Sequence, residues 1–347
     1  MKRILVTGSG GGVGQGIIKA LRLLETPVTI IAADMAPLAA GLYAGDEMLI
    51  VPRAKAPDYV EQLISLCITH RIDLYLPGTD IELAIAAENN ALLEDRAQTK
   101  VLVCPPEAIE IADDKMATAN FLRDHGFPYP ETWEPGDIDA DALPYPLIVK
   151  PRRGFRSIGV AKVQTPDELR AELDGRTDDP IVQECVATDA DEYTCTIAVV
   201  GGVASPVLPL RRELRGGDTY KAFPVHHEGI ETLVHDVAIA LGVRGSCNFQ
   251  LRLDGDTPKI FEVNARFSGT TPFCAQLGMN PVGFCLSQLW GMPFTSNIRW
   301  DVSVLRHWAE TVVPNTLMAE LVTKGHTRPH GVSTMDLRSP HADNETE

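Results

Sequence analysis

Glu262 and Asn264 stand two residues apart in a strand-like run, Lys259–Asn264, which sets both side chains on one face. Gln250 lies in a second such run, Ser246–Leu253, and the turn Asp254-Gly255-Asp256 between the runs is a hairpin signal. One carboxylate and two amide oxygens form a hard-oxygen set suited to Mg2+, with phosphate oxygens and water completing its octahedron. Arg266 shares their parity and could clamp a phosphate with both arms of its guanidinium. Phe261 and Val263 alternate with these residues and are expected to turn toward a core. The competing reading is a solvated strand face.

Two lysines add the opposite charge. Lys115 falls at the start of a helix, where a cation adds to the positive end of the dipole, and a bound phosphate would relieve that penalty. Lys150 ends the apolar strand Leu147–Val149 and leads into a basic loop containing Arg152, Arg153, Gly154, Ser157 and Gly159. Such a loop can fold over a polyphosphate with side chains and backbone N–H groups. Each lysine taken alone also reads as an exposed cation. Gln183-Glu184-Cys185-Val186 ends another apolar strand, and Glu192 follows shortly after. A strand-to-linker segment of this kind can offer its backbone to an adenine edge, and a carboxylate can accept from both ribose hydroxyls.

Arg211, Arg212 and Arg215 cluster before Gly216-Gly217, as a flexible basic segment for a substrate carboxylate or as a solvated turn. Asp80, after a leading-domain strand, is either a ligand contact or a helix cap. Thr7-Gly8-Ser9-Gly10-Gly11-Gly12-Val13-Gly14 fits the cofactor loop T-G-x-x-x-G-x-G of short-chain dehydrogenases, with Asp34 placed as a ribose acid. That reading would make the chain an NAD(P)-dependent oxidoreductase. Against it, none of the tyrosines has a lysine four residues on. The alternative is a tight βα turn holding no nicotinamide. Gly-Lys, G-x-S-x-G and H-E-x-x-H are all absent, which excludes the P-loop, nucleophile-elbow and zincin patterns.

The elements that must hold these residues change character along the chain. Up to about residue 104, strand runs (Ile4–Thr7, Val28–Ala33, Met48–Val51, Asp73–Leu76, Lys100–Cys104) alternate with helical patterns, among them Ile81–Leu93. This alternation predicts a parallel sheet covered by helices. Asp113 or Asp114 caps a helix that ends near His125-Gly126. From Pro146 onward strands dominate and predict an α+β unit. The expected divisions are 1–111, 112–185, 186–300 and 301–338, with a polar tail at 339–347. Apolar stripes at Val282–Leu289 and Trp308–Leu321 suit either a homodimer contact or a core.

Composition sets the outer limits. Hydrophobic residues make up 44% and charged residues 22% of 347, an ordinary globular balance. The net charge of −16 argues against nucleic acid or an anionic membrane as partner, but leaves room for a local phosphate pocket. No apolar run approaches the roughly 18–20 residues of a membrane span. Seven scattered cysteines without C-x-x-C predict a reducing, cytoplasmic setting and no disulfide framework.

Taken in order, the segments DDKMATANFLRDHGFPYPET, PLIVKPRRGFRSIGV, VQECVATDADEYT and CNFQLRL…KIFEVNARFSG resemble an ATP-grasp enzyme. The likeness is to the carbamoyl phosphate synthetase large-chain type and the carboxylate–amine ligases, and it runs from Lys115 to Arg266. The resemblance implies a Rossmann-like pre-ATP-grasp domain followed by a two-lobed ATP-grasp fold. It implies that Lys115, Lys150 and the loop with Arg153, Gly154 and Ser157 hold the phosphates of ATP. Glu184, Cys185 and Val186 would take adenine, and Glu192 the ribose. Gln250, Glu262 and Asn264 would bind Mg2+, usually two ions in this family, and Arg266 would steady the transferred phosphate. The implied reaction makes an acyl phosphate from a small carboxylate and couples it to an amine or ammonia, giving an amide, ADP and phosphate. A fold that binds ATP without turnover is the remaining alternative.

Overall fold

The computed structural model describes residues 1–154, 158–186 and 191–335. The chain forms two compact units, Met1–Val103 with the segment from Arg306 onward, and Cys104–Leu305.

The first unit alternates β1 (Arg3–Val6), α1 (Gly12–Arg22), β2 (Thr29–Asp34), β3 (Glu47–Ile50), α2 (Tyr59–Thr69), β4 (Leu74–Leu76), α3 (Asp80–Glu88), α4 (Asn90–Ala97) and β5 (Lys100–Val101). Its sheet runs β3-β2-β1-β4-β5, all parallel. The apolar runs Ile4–Val6 and Ile30–Ala33 are buried throughout, as strands covered on both faces must be. The single helix expected over Ile81–Leu93 divides at Asn89, whose amide donates to the Ile85 carbonyl and offers the backbone an alternative to continued helix.

The glycine loop is a close βα turn. Gly8 has φ +57°, and a Cβ on Gly14 would fall 2.4 Å from the Gly8 carbonyl oxygen. Asp34 is committed to the turn, accepting from Gly10 N at 2.8 Å and Ala36 N at 3.0 Å. The segment set apart by sequence as a C-terminal extension folds with this unit. Its strand His326–Thr327 pairs antiparallel with β3, and Leu317 and Leu321 are buried beside Leu42 and Met48.

The second unit opens with α5 (Pro106–Asp113) and α6 (Lys115–Asp124). A small antiparallel sheet follows, in the order β6-β9-β7-β8, from β6 (Thr132–Trp133), β7 (Leu147–Pro151), β8 (Ala161–Val163) and β9 (Pro180–Glu184). Helix α7 (Pro166–Leu173) buries Leu169 against Leu147, Val149 and Val182 of that sheet. The large antiparallel sheet uses β10 (Glu192–Val200), β11 (Val203–Ala204), β12 (Leu208–Arg215), β13 (Asp218–Pro224), β14 (Gly245–Asp254), β15 (Thr257–Asn264) and β16 (Val304–Leu305). Its order is β15-β14-β10-β12-β13-β16, with β11 on β10.

Helix α8 (Glu228–Ala240) shares one core with Cys195, Ile197, Phe249, Leu251, Ile260 and Val263 of the large sheet. Residues of opposite parity on these strands are left for the other face. Two short helices complete the unit, α9 (Thr271–Gln276) and α10 (Pro281–Trp290). Val282, Phe284, Cys285 and Leu286 of α10 are buried, so this stripe is core. Among the described residues no helix is long and apolar enough to cross a membrane.

Candidate active site

A cavity of about 860 Å3 lies in the second unit, where the small sheet faces the large one. Lys115, Lys150 and Gly154 line one side of it; Glu192, Arg212, Gln250 and Glu262 line the other; and Glu184, Cys185 and Val186 line its edge.

Lys150 is 6% exposed near the end of β7, and its ammonium donates to Gln183 Oε1 at 2.7 Å. The same ammonium sits 5.3 Å from the centre of the Phe261 ring. Burial pushes its pKa down to about 7, the Glu262 charge pulls it up, and Lys115 and Arg252 push it further down. Lys115 is the first residue of α6, as expected, and donates to the Gly154 carbonyl at 2.9 Å. Asp114 is the N-cap, accepting from Met116 N at 2.9 Å and Ala117 N at 3.1 Å. Burial raises the Asp114 carboxyl, but these N–H groups and Arg152 outweigh it and hold it below its ordinary value.

Several expected site residues sit elsewhere or are differently engaged. Arg153 does not line the cavity. Its guanidinium turns to Asp113 at 3.5 Å and to the buried capping carboxylate of Asp114 at 3.1 Å, and these ion pairs hold it away from the cavity. Ser157 lies outside the described residues. The carboxylate of Glu184 accepts from Lys259 at 2.8 Å and from Glu131 N at 3.1 Å, joining the two sheets at the cavity edge. Glu192, expected to face a ribose, is 7% exposed and held between Arg212 and Arg252. Burial raises its pKa, and the two guanidiniums overcome that and leave it lowered.

The three arginines expected to form one flexible segment are separated by strand geometry. Arg212 is buried and bonds both Glu192 and Gln250 Oε1. Arg211 is its strand neighbour and stacks on Phe223, 4.3 Å from the ring centre. Arg215 stacks on Tyr220 at the β12–β13 turn and does not line the cavity. Asp80 belongs to the other unit, where it begins α3 behind the cap residue Thr79.

On β14 and β15, Gln250 and Glu262 are register partners, as are Asn248 and Asn264. Glu262 Oε1 accepts from Gln250 Nε2 at 3.4 Å and from Asn264 Nδ2 at 3.2 Å. Arg266 donates to Asn264 Oδ1 at 3.2 Å, so Asn264 and Arg266 form a chain behind Glu262 rather than lining the cavity. The amide oxygens are turned away from the carboxylate, Gln250 Oε1 to Arg212 and Asn264 Oδ1 to Arg266, so Glu262 is the oxygen donor now facing the cavity, and both side chains would have to leave their arginines to complete a hard-oxygen set for a divalent cation.

Sequence reasoning missed what happens one step further along. The register shifts between Gln250 and Leu251, and Phe261 becomes the extra residue of a β-bulge. Strict alternation put Phe261 in the core. The bulge instead turns it to the cavity beneath Lys150, while Val263 goes to the core as expected. Beyond the bulge Arg252 pairs with Lys259, both on the cavity side, and Ile260 joins the core. The signal for Arg252 was present, since it follows Gln250 by two.

Comparison with known proteins agrees with this architecture. Residues 112–270 match the ATP-grasp domain family, and residues 4–101 match the PylC-like, N-terminal domain family. The chain therefore carries an ATP-grasp domain behind a PylC-like leading domain, in line with the resemblance of its ordered segments. Among individual relatives, the carbamoyl phosphate synthase large chain of Streptomyces avermitilis is 26% identical over 203 residues, 52% of this chain and 18% of that protein. The chain thus spans about a fifth of the length of that relative. The fold is shared with the L-amino acid ligase of Bacillus licheniformis, at a TM-score of 0.64 and 16% identity, over 90% of this chain and 80% of that one. It is shared also with N5-carboxyaminoimidazole synthetase of Staphylococcus aureus complexed with ADP, at a TM-score of 0.68 and 15% identity, over 93% and 85%.

Proposed function

We propose that the chain is an ATP- and Mg2+-dependent ligase that activates a carboxylate as an acyl phosphate and couples it to an amine or ammonia, releasing ADP and phosphate. One observation carries the reading: cationic Lys115 and Lys150 share a cavity with the oxygen donors Gln250 and Glu262 of the facing sheet. In this reading the lysines hold the phosphates, and the backbone of Cys185 and Val186 beside Glu184 takes the adenine edge. Glu262, with Gln250 and Asn264, holds Mg2+, which when bound neutralises charge on the transferred phosphoryl group. Arg266 steadies that group through its place behind Asn264.

Phosphoryl transfer needs positioning and charge neutralisation more than a protein nucleophile. The buried cysteines agree with this, since burial raises the thiol pKa of Cys195, Cys247, Cys274 and Cys285 and keeps them poor nucleophiles. The names of the relatives, a carbamoyl phosphate synthase and an amino acid ligase, support C–N bond formation and leave the substrate pair to experiment.

The test is a phosphate-release screen of amino acids and small acids, in pairs, with Mg·ATP, alongside thermal melts. Turnover with one pair and stabilisation by Mg·ATP are expected. Stabilisation by NADH or NADPH without a response to ATP would refute the proposal, and ATP stabilisation with no ADP release from any pair would leave only a binding protein.

A further inference from the structure

The buried ammonium of Lys150 is held by a neutral partner. Among the described residues it makes one hydrogen bond, to Gln183 Oε1 at 2.7 Å, and no ion pair. An ammonium carries three donors, so two N–H groups are left for a ligand in the cavity. Gln183 lies on β9, is 4% exposed and lines the same cavity. It is the register partner of Ile148 on β7 and of Thr132 on β6.

The Gln183 amide is fixed from behind. Its Nε2 donates to Thr132 Oγ1 at 2.8 Å, and the Thr132 hydroxyl donates to the Pro130 carbonyl at 2.8 Å. That hydroxyl has a single hydrogen, and a carbonyl can only accept, so the Thr132 oxygen must accept from Gln183. The amide nitrogen therefore faces Thr132, and the amide oxygen faces the ammonium.

On this geometry, and resting on the ATP reading above, we infer that Gln183 is a positioning residue that anchors the Lys150 ammonium in the cavity without offsetting its charge. An apolar side chain in its place would leave a buried ammonium with no hydrogen-bond acceptor. A carboxylate would keep the bond, but it would neutralise the cation and set a negative charge beside the entering phosphates. The other charges acting on Lys150 are Glu262 and Glu192 against Lys115 and Arg252, none of them bonded to it. A new charge at hydrogen-bond distance would outweigh each of these.

The experiment is a double-mutant cycle on the full chain, with Gln183→Leu, Lys150→Met and the double variant titrated calorimetrically with Mg·ATP at pH 7. Gln183→Leu should weaken binding about tenfold in the wild-type background and less than about twofold in Lys150→Met, where the lysine it acts through is gone. Gln183→Met, which keeps the length but not the amide, serves if the leucine variant does not fold. Gln183→Glu should bind at least about threefold more weakly than wild type, and the deficit should grow at low salt. Three results would overturn the inference alone: unchanged affinity in Gln183→Leu, an equal loss in the Lys150→Met background, or wild-type affinity in Gln183→Glu. A wild-type chain that does not bind Mg·ATP would overturn the ATP reading, and the inference with it.

Discussion

If Lys150 holds a phosphate as proposed, nucleotide affinity should be a function of pH. In the free protein its pKa is pushed down to about 7, chiefly by burial. A triphosphate in the cavity stabilises the ammonium form and raises that pKa. The sign follows from linkage: a group whose pKa is higher in the complex favours binding fully below its free value, and the benefit is lost as pH rises toward its bound value. At pH 8 the free lysine is mostly neutral, so binding should take up most of a proton. Between pH 8 and 9 the dissociation constant should rise several-fold, approaching tenfold where the bound pKa lies well above 9. Calorimetry of Mg·ATP in two buffers of different protonation enthalpy reads the proton count directly. Lys150→Arg, whose charge is permanent, should bind with little pH dependence across the same interval. A flat wild-type profile, or an equal slope in Lys150→Arg, would refute the reasoning.

Glu262→Ala should abolish ADP release while leaving the thermal midpoint within a few degrees, because Glu262 is half-buried on a cavity face outside the large core. A variant that still turns over would remove the metal assignment. Asp114→Ala loses a cap that accepts from two backbone N–H groups and from Arg152, and urea unfolding should show a loss of about 2 kcal/mol. A change under about half a kcal/mol would show that the cap does not hold α6.

The fold was legible where one rule acts on a whole segment. Buried apolar runs marked β1, β2 and β7, and the pair Asp113-Asp114 marked the start of α6, because capping chemistry is local. The pairing of Gln250 with Glu262 across the hairpin was legible from parity alone. The rest depended on neighbours that no short window contains. β13, with the sequence DTYKAFP, has little apolar alternation and becomes a strand because β12 and β16 pair with it on either side. The bulge at Phe261 reverses parity for everything beyond it, so the rule that placed Glu262 correctly misplaced Phe261. Glu192 was recognisable as an acid near the cavity, but its pairing depends on Arg212 and Arg252, from strands on either side.

A net charge of −16 and a cavity for a polyanion are reconciled by distance. Surface charges more than about 8 Å from a ligand are largely screened at physiological salt, whereas groups lining a half-enclosed cavity are not. Within that range the cross-strand row Arg212–Glu192–Arg252 carries one negative and two positive charges. Lys115 and Lys150 add positive charge on the facing side, although burial leaves Lys150 only partly charged near neutral pH. Glu192 lets two guanidiniums approach one another without repelling each other apart, and so concentrates positive charge where a phosphate or carboxylate would enter. Replacing this acid would therefore do more than delete one contact, because it would leave the buried Arg212 and the half-buried Arg252 facing each other across the strand that held their shared partner.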